Sequence, residues 1–317
     1  MSEGASLGAR LRDRDLSAAP AALNLVENRA KGDEIAALLG AVSPAALGAE
    51  APGHVIGVTG PPGAGKSSLL SALVRAWRDA GRTVAVLAVD PSSKRSGGSL
   101  LGDRARIEFD PADRGVLIRS TAAGGRLGGL APATRAAAQA LAAAYDVVVI
   151  ETVGVGQSET EVAEVADTVA VIVQPGSGDA LQFIKAGIME VPDVLVVTKA
   201  DLGDVALRAR RDLSAALRSL GARDTPVVAV SSVAPTTGID ELVAALAAHR
   251  EGLDLPARRT DSRRTSALAD FVAEHGDRGL RALGGRRAAL RFLADQEPAL
   301  DVATLVERLE ARAEAAR

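Results

Sequence analysis

Gly60-Pro-Pro-Gly-Ala-Gly-Lys-Ser67 lies between an apolar, β-branched run, Val55–Thr59, and a helical stretch, Ser68–Ala80. The pattern G-x-x-x-x-G-K-[ST] between a strand and a helix is a phosphate-binding loop. Its glycines let successive backbone N–H groups turn inward around phosphate oxygens, and the following helix N-terminus adds partial positive charge. Lys66 supplies a mobile cation for the β- and γ-phosphates, and Ser67 a hydroxyl for Mg²⁺. Gly60, Pro61, Pro62, Gly63, Ala64, Gly65, Lys66, Ser67 and Ser68 therefore form the candidate nucleotide cradle.

Outward from this loop, Val/Ile-rich runs alternate with Ala/Leu-rich helical stretches. Strands are expected at Thr83–Val89, Val116–Arg119, Asp146–Glu151, Thr168–Gln174, Val194–Thr198 and Pro226–Ser231. Helices are expected at Ser67–Ala80, Ala131–Ala144, Leu207–Leu220 and Asp240–Arg250. Strands apolar on both sides, alternating with helices, predict a doubly wound, mostly parallel α/β sheet. Leu16–Val42 reads as two short helices broken near Lys31-Gly-Asp33, and Thr265–His275, Gly279–Asp295 and Val302–Ala316 as helices near the C-terminus. The expected division is a helical extension over 1–52, a P-loop domain over 53–252, and a second helical extension over 253–317 as a candidate dimerisation element. Arg258, Arg259, Arg263 and Arg264 read as a solvated linker, with a docking surface for an acidic partner as the alternative.

The acids at strand ends extend the site. Asp90 ends the second strand and Glu151 the fourth, and open parallel sheets bind ligands at those ends. Glu151 has the position that holds Mg²⁺ directly or through water, and Asp90 is expected with it as a metal ligand. Gly154 offers a backbone N–H to a γ-phosphate. Ser96–Asp103 and Gly154–Glu159 are glycine-rich and suited to switching with the γ-phosphate. Asp103 is a candidate metal contact or water-orienting group, and Lys66, Asp103 and Glu151 are the expected catalytic set. Thr198-Lys-Ala-Asp201 resembles the guanine-reading N-K-x-D, with Thr for Asn. Asp201 can accept from guanine N1–H and the exocyclic amine, and Lys199 can lay its stem over the base. Ser231-Ser-Val-Ala234 follows the next strand, where the backbone of Ser232, Val233 and Ala234 can face guanine O6.

Composition removes other classes. Net charge is −3, so no global field draws the chain to nucleic acid or anionic lipid. Aromatics make up 2 %, too few for base-stacking platforms, and the absence of cysteine excludes disulfides and zinc–thiolate sites. His54, His249 and His275 are scattered along the chain. Met1–Asp15 carries no apolar run of a secretory signal, and the Val-rich runs are too short to span a bilayer, so a cytoplasmic protein is expected.

Taken together, these residues resemble the MeaB/ArgK family of P-loop GTPases, chaperones associated with methylmalonyl-CoA mutase. The likeness runs through Gly57–Ser67, Ala85–Ser93, Gly97–Asp103, Leu127-Gly-Gly129, Glu151-Thr-Val-Gly-Val-Gly-Gln-Ser-Glu159 and Gly178–Ile188. Ala22–Arg29 is similar to the family's first helix, and the likeness spans about Ala21 to Arg250. The resemblance implies GTP/GDP and Mg²⁺ as ligands and an adenosylcobalamin-dependent acyl-CoA mutase as partner. It further implies a homodimer, and hydrolysis coupled to cofactor loading and protection of the mutase; an adenosyltransferase as a second partner stays open. Asp179 and Lys185 match a segment that communicates with the mutase. Thr198 departs from the family's Asn, with the expected loss of an amide that ties the base loop to the P-loop, and with it some guanine selectivity. The chain after Arg250 departs as well, lacking a tryptophan-containing stretch. Two rivals stay open: a kinase of a transport system, and a metallochaperone GTPase, which the missing Cys/His motifs disfavour.

Overall fold

The computed structural model describes residues 1–90, 107–122, 130–152, 162–176 and 192–315. In chain order the elements are α1 (Glu3–Arg12), α2 (Ala19–Glu27), α3 (Gly32–Ala41), α4 (Pro44–Leu47), β1 (His54–Thr59), α5 (Lys66–Asp79), β2 (Val84–Asp90), β3 (Val116–Ala122) and α6 (Pro132–Ala142). They continue with β4 (Val147–Thr152), β5 (Thr168–Val173), β6 (Val194–Val197), α7 (Asp204–Ser219), β7 (Val227–Ala229), α8 (Ile239–Glu251), α9 (Leu255–Ala282), α10 (Arg286–Ala294) and α11 (Val302–Ala315). Two compact units divide the chain. One takes 1–53, 132–145 and 254–317, and the other 54–131 and 146–253.

The second unit holds a seven-stranded sheet in the order β3-β2-β4-β1-β5-β6-β7, with every pairing among the described residues parallel. Valine and isoleucine dictate this. β1, β4, β5 and β6 are buried at every position, as strands covered on both faces must be. The chain moves from β1 outward to β2 and β3, returns to β4, then proceeds on the other side through β5, β6 and β7. β1 is therefore the switch point, and ligand sites lie beyond its C-terminal end. Ile56, Val58, Leu69, Leu70, Leu73, Trp77, Val86, Val149, Ile172 and Val196 share one apolar core, fixing α5 onto the sheet. Burying each leucine contributes about 1.5–3 kcal/mol. At the far end of α5, Arg78 donates to both Asp113 carboxylate oxygens at 2.7 and 2.9 Å. The guanidinium holds the Asp113 carboxyl below the usual carboxylate range. Two histidines scattered in sequence meet at this same end of the sheet, where Thr168 Oγ1 shares hydrogen bonds with His54 Nε2 (2.7 Å) and His249 Nδ1 (2.9 Å).

The helical unit is packed with small residues, as a chain poor in aromatics requires. A Cβ on Gly4 of α1 would meet the Glu34 carbonyl at 1.9 Å, so α1 and α3 approach closely only because that atom is missing. Ala136, Ala137, Ala138, Ala140 and Ala142 are buried along α6. The sequence reading missed α1, whose run of charges hides an N-cap at Ser2 and an inward face of Gly4, Leu7, Gly8 and Leu11. It also misread the arginines, which lie within α9 and not in a solvated linker. Arg259 is 8 % exposed and donates to the carbonyls of Ala51 (2.5 Å) and Gly53 (2.6 Å). Arg263, equally buried, grips both Glu50 carboxylate oxygens at 2.8 Å. Helical spacing turns both guanidiniums inward, where planar forks satisfy several acceptors at once. Asp270 pairs with Arg135; burial pushes its carboxyl above the usual range, and the guanidinium opposes that shift. Among the described residues no helix is long and apolar enough to cross a membrane.

Candidate functional site

Gly60 leaves β1 at φ +150°, and a Cβ there would stand 2.2 Å from the Ile172 carbonyl oxygen on β5. Only glycine lets the loop start so close to the neighbouring strand. The cradle residues then follow as the sequence requires. Pro62 and Gly63 are exposed at the rim, Ala64 is buried, and Lys66, Ser67 and Ser68 open α5. Lys66 is 7 % exposed, and its Nζ donates to the carbonyls of Gly60 (2.7 Å) and Pro61 (3.2 Å). The cation is thus folded back over the loop whose N–H groups would wrap an anion.

Glu151 is brought to this loop by strand register. It pairs with Val58 of β1 and Ala88 of β2, near the C-terminal end of β4, and is buried. Ser67 Oγ donates to its Oε1 at 3.4 Å. A hydroxyl and a carboxylate converging at a phosphate loop form a hard oxygen donor set, the chemistry that suits Mg²⁺. Asp90 ends β2, in register with Ala122. Asp103, Gly154, the stretches 96–103 and 154–159, and Asp179 and Lys185 lie outside the described residues.

Two further strand ends carry the residues expected on the base side. Thr198, directly after β6 and 3 % exposed, donates from Oγ1 to the Ala64 carbonyl at 2.6 Å and lies 3.1 Å from that of Val173. The amide of an Asn is missing here, as its replacement entails, but the threonine hydroxyl supplies a tie to the P-loop of its own. Lys199 adopts φ +55°, rare for a residue with a side chain, and its Nζ donates to Gln174 Oε1 at 2.6 Å. Asp201 sits in the 3₁₀ turn Ala200–Leu202, and its Oδ1 accepts from Ser231 Oγ at 2.9 Å. Ser231 Oγ in turn accepts from Val233 N–H at 3.2 Å. Ala200 N–H donates to the Val230 carbonyl at 3.0 Å, joining the two base-side loops. Ser232 is half-buried, while Val233 and Ala234 are exposed beside it. Sequence reasoning missed Ser231 as the group orienting Asp201. The serine opening the Ser-Ser-Val-Ala string was its signal. It also missed Gln174, a polar residue closing a Val-rich run with no motif to mark it.

A glycine-rich loop between strand and helix, with an acid on the adjoining strand and Thr198 tying the turn after β6 to it, has the arrangement of a P-loop nucleotide hydrolase. The sequence profile of the family described as "Methylmalonyl Co-A mutase-associated GTPase MeaB" matches residues 19–278. A Pyrococcus abyssi protein named as a GTPase is 45 % identical over 218 residues, 67 % of either chain. The mouse mitochondrial methylmalonic aciduria type A homolog is 45 % identical over 160 residues, 49 % of this chain and 38 % of its own. A solved LAO/AO transport system kinase superposes with a TM-score of 0.63 at 31 % identity, covering 93 % of this chain and 98 % of that one. The chain belongs to the MeaB family of GTPases.

Proposed function

We propose that this protein hydrolyses GTP to GDP and phosphate, and that hydrolysis serves as a timer for a chaperone cycle on an adenosylcobalamin-dependent acyl-CoA mutase, methylmalonyl-CoA mutase in particular. The observation that carries the hydrolytic part is the convergence of Lys66, Ser67 and Glu151 at the end of β1, with Thr198 tying the Asp201 turn to the same loop. The loop amides and Lys66 hold the β- and γ-phosphates and stabilise charge as the γ-phosphoryl moves to water. Mg²⁺, held by Ser67 and Glu151 with Asp90 nearby, would supply charge neutralisation across the phosphates. Asp201 reads the guanine edge, with Ser232, Val233 and Ala234 facing O6. Asp103 orients the attacking water, and the Gly154 amide meets the γ-phosphate. No covalent intermediate is needed, and intrinsic turnover is expected to be slow.

The mutase part is supported by the family's printed description and by the mouse and worm relatives named methylmalonic aciduria type A homologs. On this reading the protein is cytoplasmic and dimeric through 253–317, the mutase engages Asp179 and Lys185, and an adenosyltransferase delivers cofactor. The test is phosphate release from GTP with and without purified mutase. A stimulated rate that falls selectively in Lys185→Ala supports the chaperone cycle. No stimulation by any acyl-CoA mutase leaves only the GTPase. The kinase reading draws on the 31 % identical structure named as a transport system kinase. Stoichiometric phosphate release to water without an acceptor rejects it.

A further inference from the structure

Gln174 follows β5 directly and belongs to no phosphate, metal or base motif. Its Oε1 nevertheless accepts a hydrogen bond from Lys199 Nζ at 2.6 Å. Strand register explains the meeting. Val173 of β5 pairs with Val197 of β6, so Gln174 and Thr198 leave adjacent strands side by side, and Lys199 is the next residue. The lysine is constrained at both ends. Its backbone is set at φ +55°, and its carbonyl accepts from Leu202 N–H at 3.0 Å, while its tip is held by Gln174. An exposed lysine ordinarily distributes its flexible four-carbon stem over many rotamers. Here the stem is held between two fixed points, in the same short turn that carries Asp201.

A purine gripped at its edge by Asp201 needs a cover on its ring face, and an extended lysine stem is an apolar strip suited to that. We propose that Gln174 is a positioning residue for base capture: by holding the Lys199 ammonium it extends the lysine stem before nucleotide arrives. This rests on the guanine-nucleotide reading and deepens it by dividing the labour. Asp201 reads the base edge and so sets selectivity. The Gln174–Lys199 pair acts on the ring face, and so sets affinity for any purine that enters.

That division gives the experiment. Dissociation constants for GDP and IDP are measured by calorimetry on the full chain for wild type, Gln174→Ala, Gln174→Glu, Lys199→Ala and the Gln174→Ala/Lys199→Ala double variant. Gln174→Ala is expected to weaken GDP and IDP by the same factor, about three- to tenfold, the range for immobilising one long side chain. KM for GTP should rise with it while kcat changes less. Gln174→Glu keeps an oxygen acceptor for the ammonium and should restore binding. In the Lys199→Ala background the Gln174→Ala change should cost nothing further, because its effect passes through the lysine. An equal loss in both backgrounds overturns the proposal, as does unchanged affinity in Gln174→Ala. A merely structural role would instead lower Tm in proportion and remain in the Lys199→Ala background. Failure of the guanine reading looks different. Wild type would bind ADP as tightly as GDP, and the same cycle could still be read with ADP.

Discussion

Replacing Thr198 by valine tests whether the base loop and the phosphate loop act as one piece. Valine keeps the shape of threonine and removes only the hydroxyl. Two carbonyls face that hydroxyl, but they do not suffer equally. The Val173 carbonyl still accepts from Thr198 N–H at 2.9 Å, whereas the Ala64 carbonyl loses its 2.6 Å donor. The site is 3 % exposed, so water cannot take the donor's place. Leaving a buried carbonyl without its donor costs about 1–3 kcal/mol. Ala64 lies inside the P-loop, so if binding needs the loop in this conformation, most of the loss appears as affinity. About 1–2 kcal/mol corresponds to roughly 5- to 30-fold in Kd. Any remainder appears as a Tm lowered by about 2–4 °C per kcal/mol. The assay is displacement of a fluorescent GDP analogue together with thermal unfolding, with Thr198→Ser as the control that retains the hydroxyl. Thr198→Val binding GTP within about twofold of wild type (under ~0.5 kcal/mol) with an unchanged Tm would refute the reasoning. Thr198→Asn adds a second donor, but since the tie already exists it should gain at most about 1 kcal/mol.

Other outcomes follow from the same geometry. Lys66→Ala should abolish hydrolysis with little change in fold; phosphate release within about threefold of wild type, well under 1 kcal/mol of barrier, contradicts the P-loop assignment. Asp201→Asn should erode the preference for GTP over ATP, which calorimetry on both nucleotides should otherwise place at about 30- to 1000-fold, the worth of ~2–4 kcal/mol of paired hydrogen bonds. Asp113, its carboxyl held low by Arg78, contributes stability above its unfolded-state pKa and loses it as pH falls through the lower folded value. Asp113→Asn should therefore lower Tm at neutral pH by less than about 1 kcal/mol's worth, the pair being partly exposed, with the deficit shrinking in melts below about pH 4.

The sheet was legible because valine leaves few alternatives. Val147-Val-Val-Ile150 can only be a strand buried on both faces, and Gly60–Ser67 only the turn after one. The places of the P-loop turn, of Glu151 and of Asp201 were legible for a related reason, since each lies at or just past the end of a strand that the valine runs already mark. What sequence hid was anything decided by distant neighbours. Arg259 and Arg263 look like surface charge until Glu50, Ala51 and Gly53 are found against them. Thr198 looks like a lost amide until its hydroxyl is seen on Ala64. Gln174 acquires meaning only through the pairing of Val173 with Val197. α1 escaped because its buried face uses glycine, which carries no hydrophobic signal, and its value there lies in the missing Cβ.

One feature of the core makes the protein unusually easy to observe. The chain has one tryptophan and one tyrosine, Trp77 and Tyr145. Trp77, 4 % exposed on the inner face of α5, belongs to the sheet-bearing unit, and Tyr145 to the helical unit. Each compact unit therefore has its own intrinsic fluorophore, without labelling. Trp77 is eleven residues past Lys66 (from their numbering), about 16 Å along the helix at 1.5 Å per residue. It is too far along to stack on a base, so an emission change on adding nucleotide reports movement of the helix that carries the phosphate lysine. Burial pushes the Tyr145 phenol up to about 12, so tyrosinate does not confuse the signal across the working range of pH. Selective excitation of tryptophan, followed by excitation of both rings, would show during unfolding whether the two units melt together or one before the other.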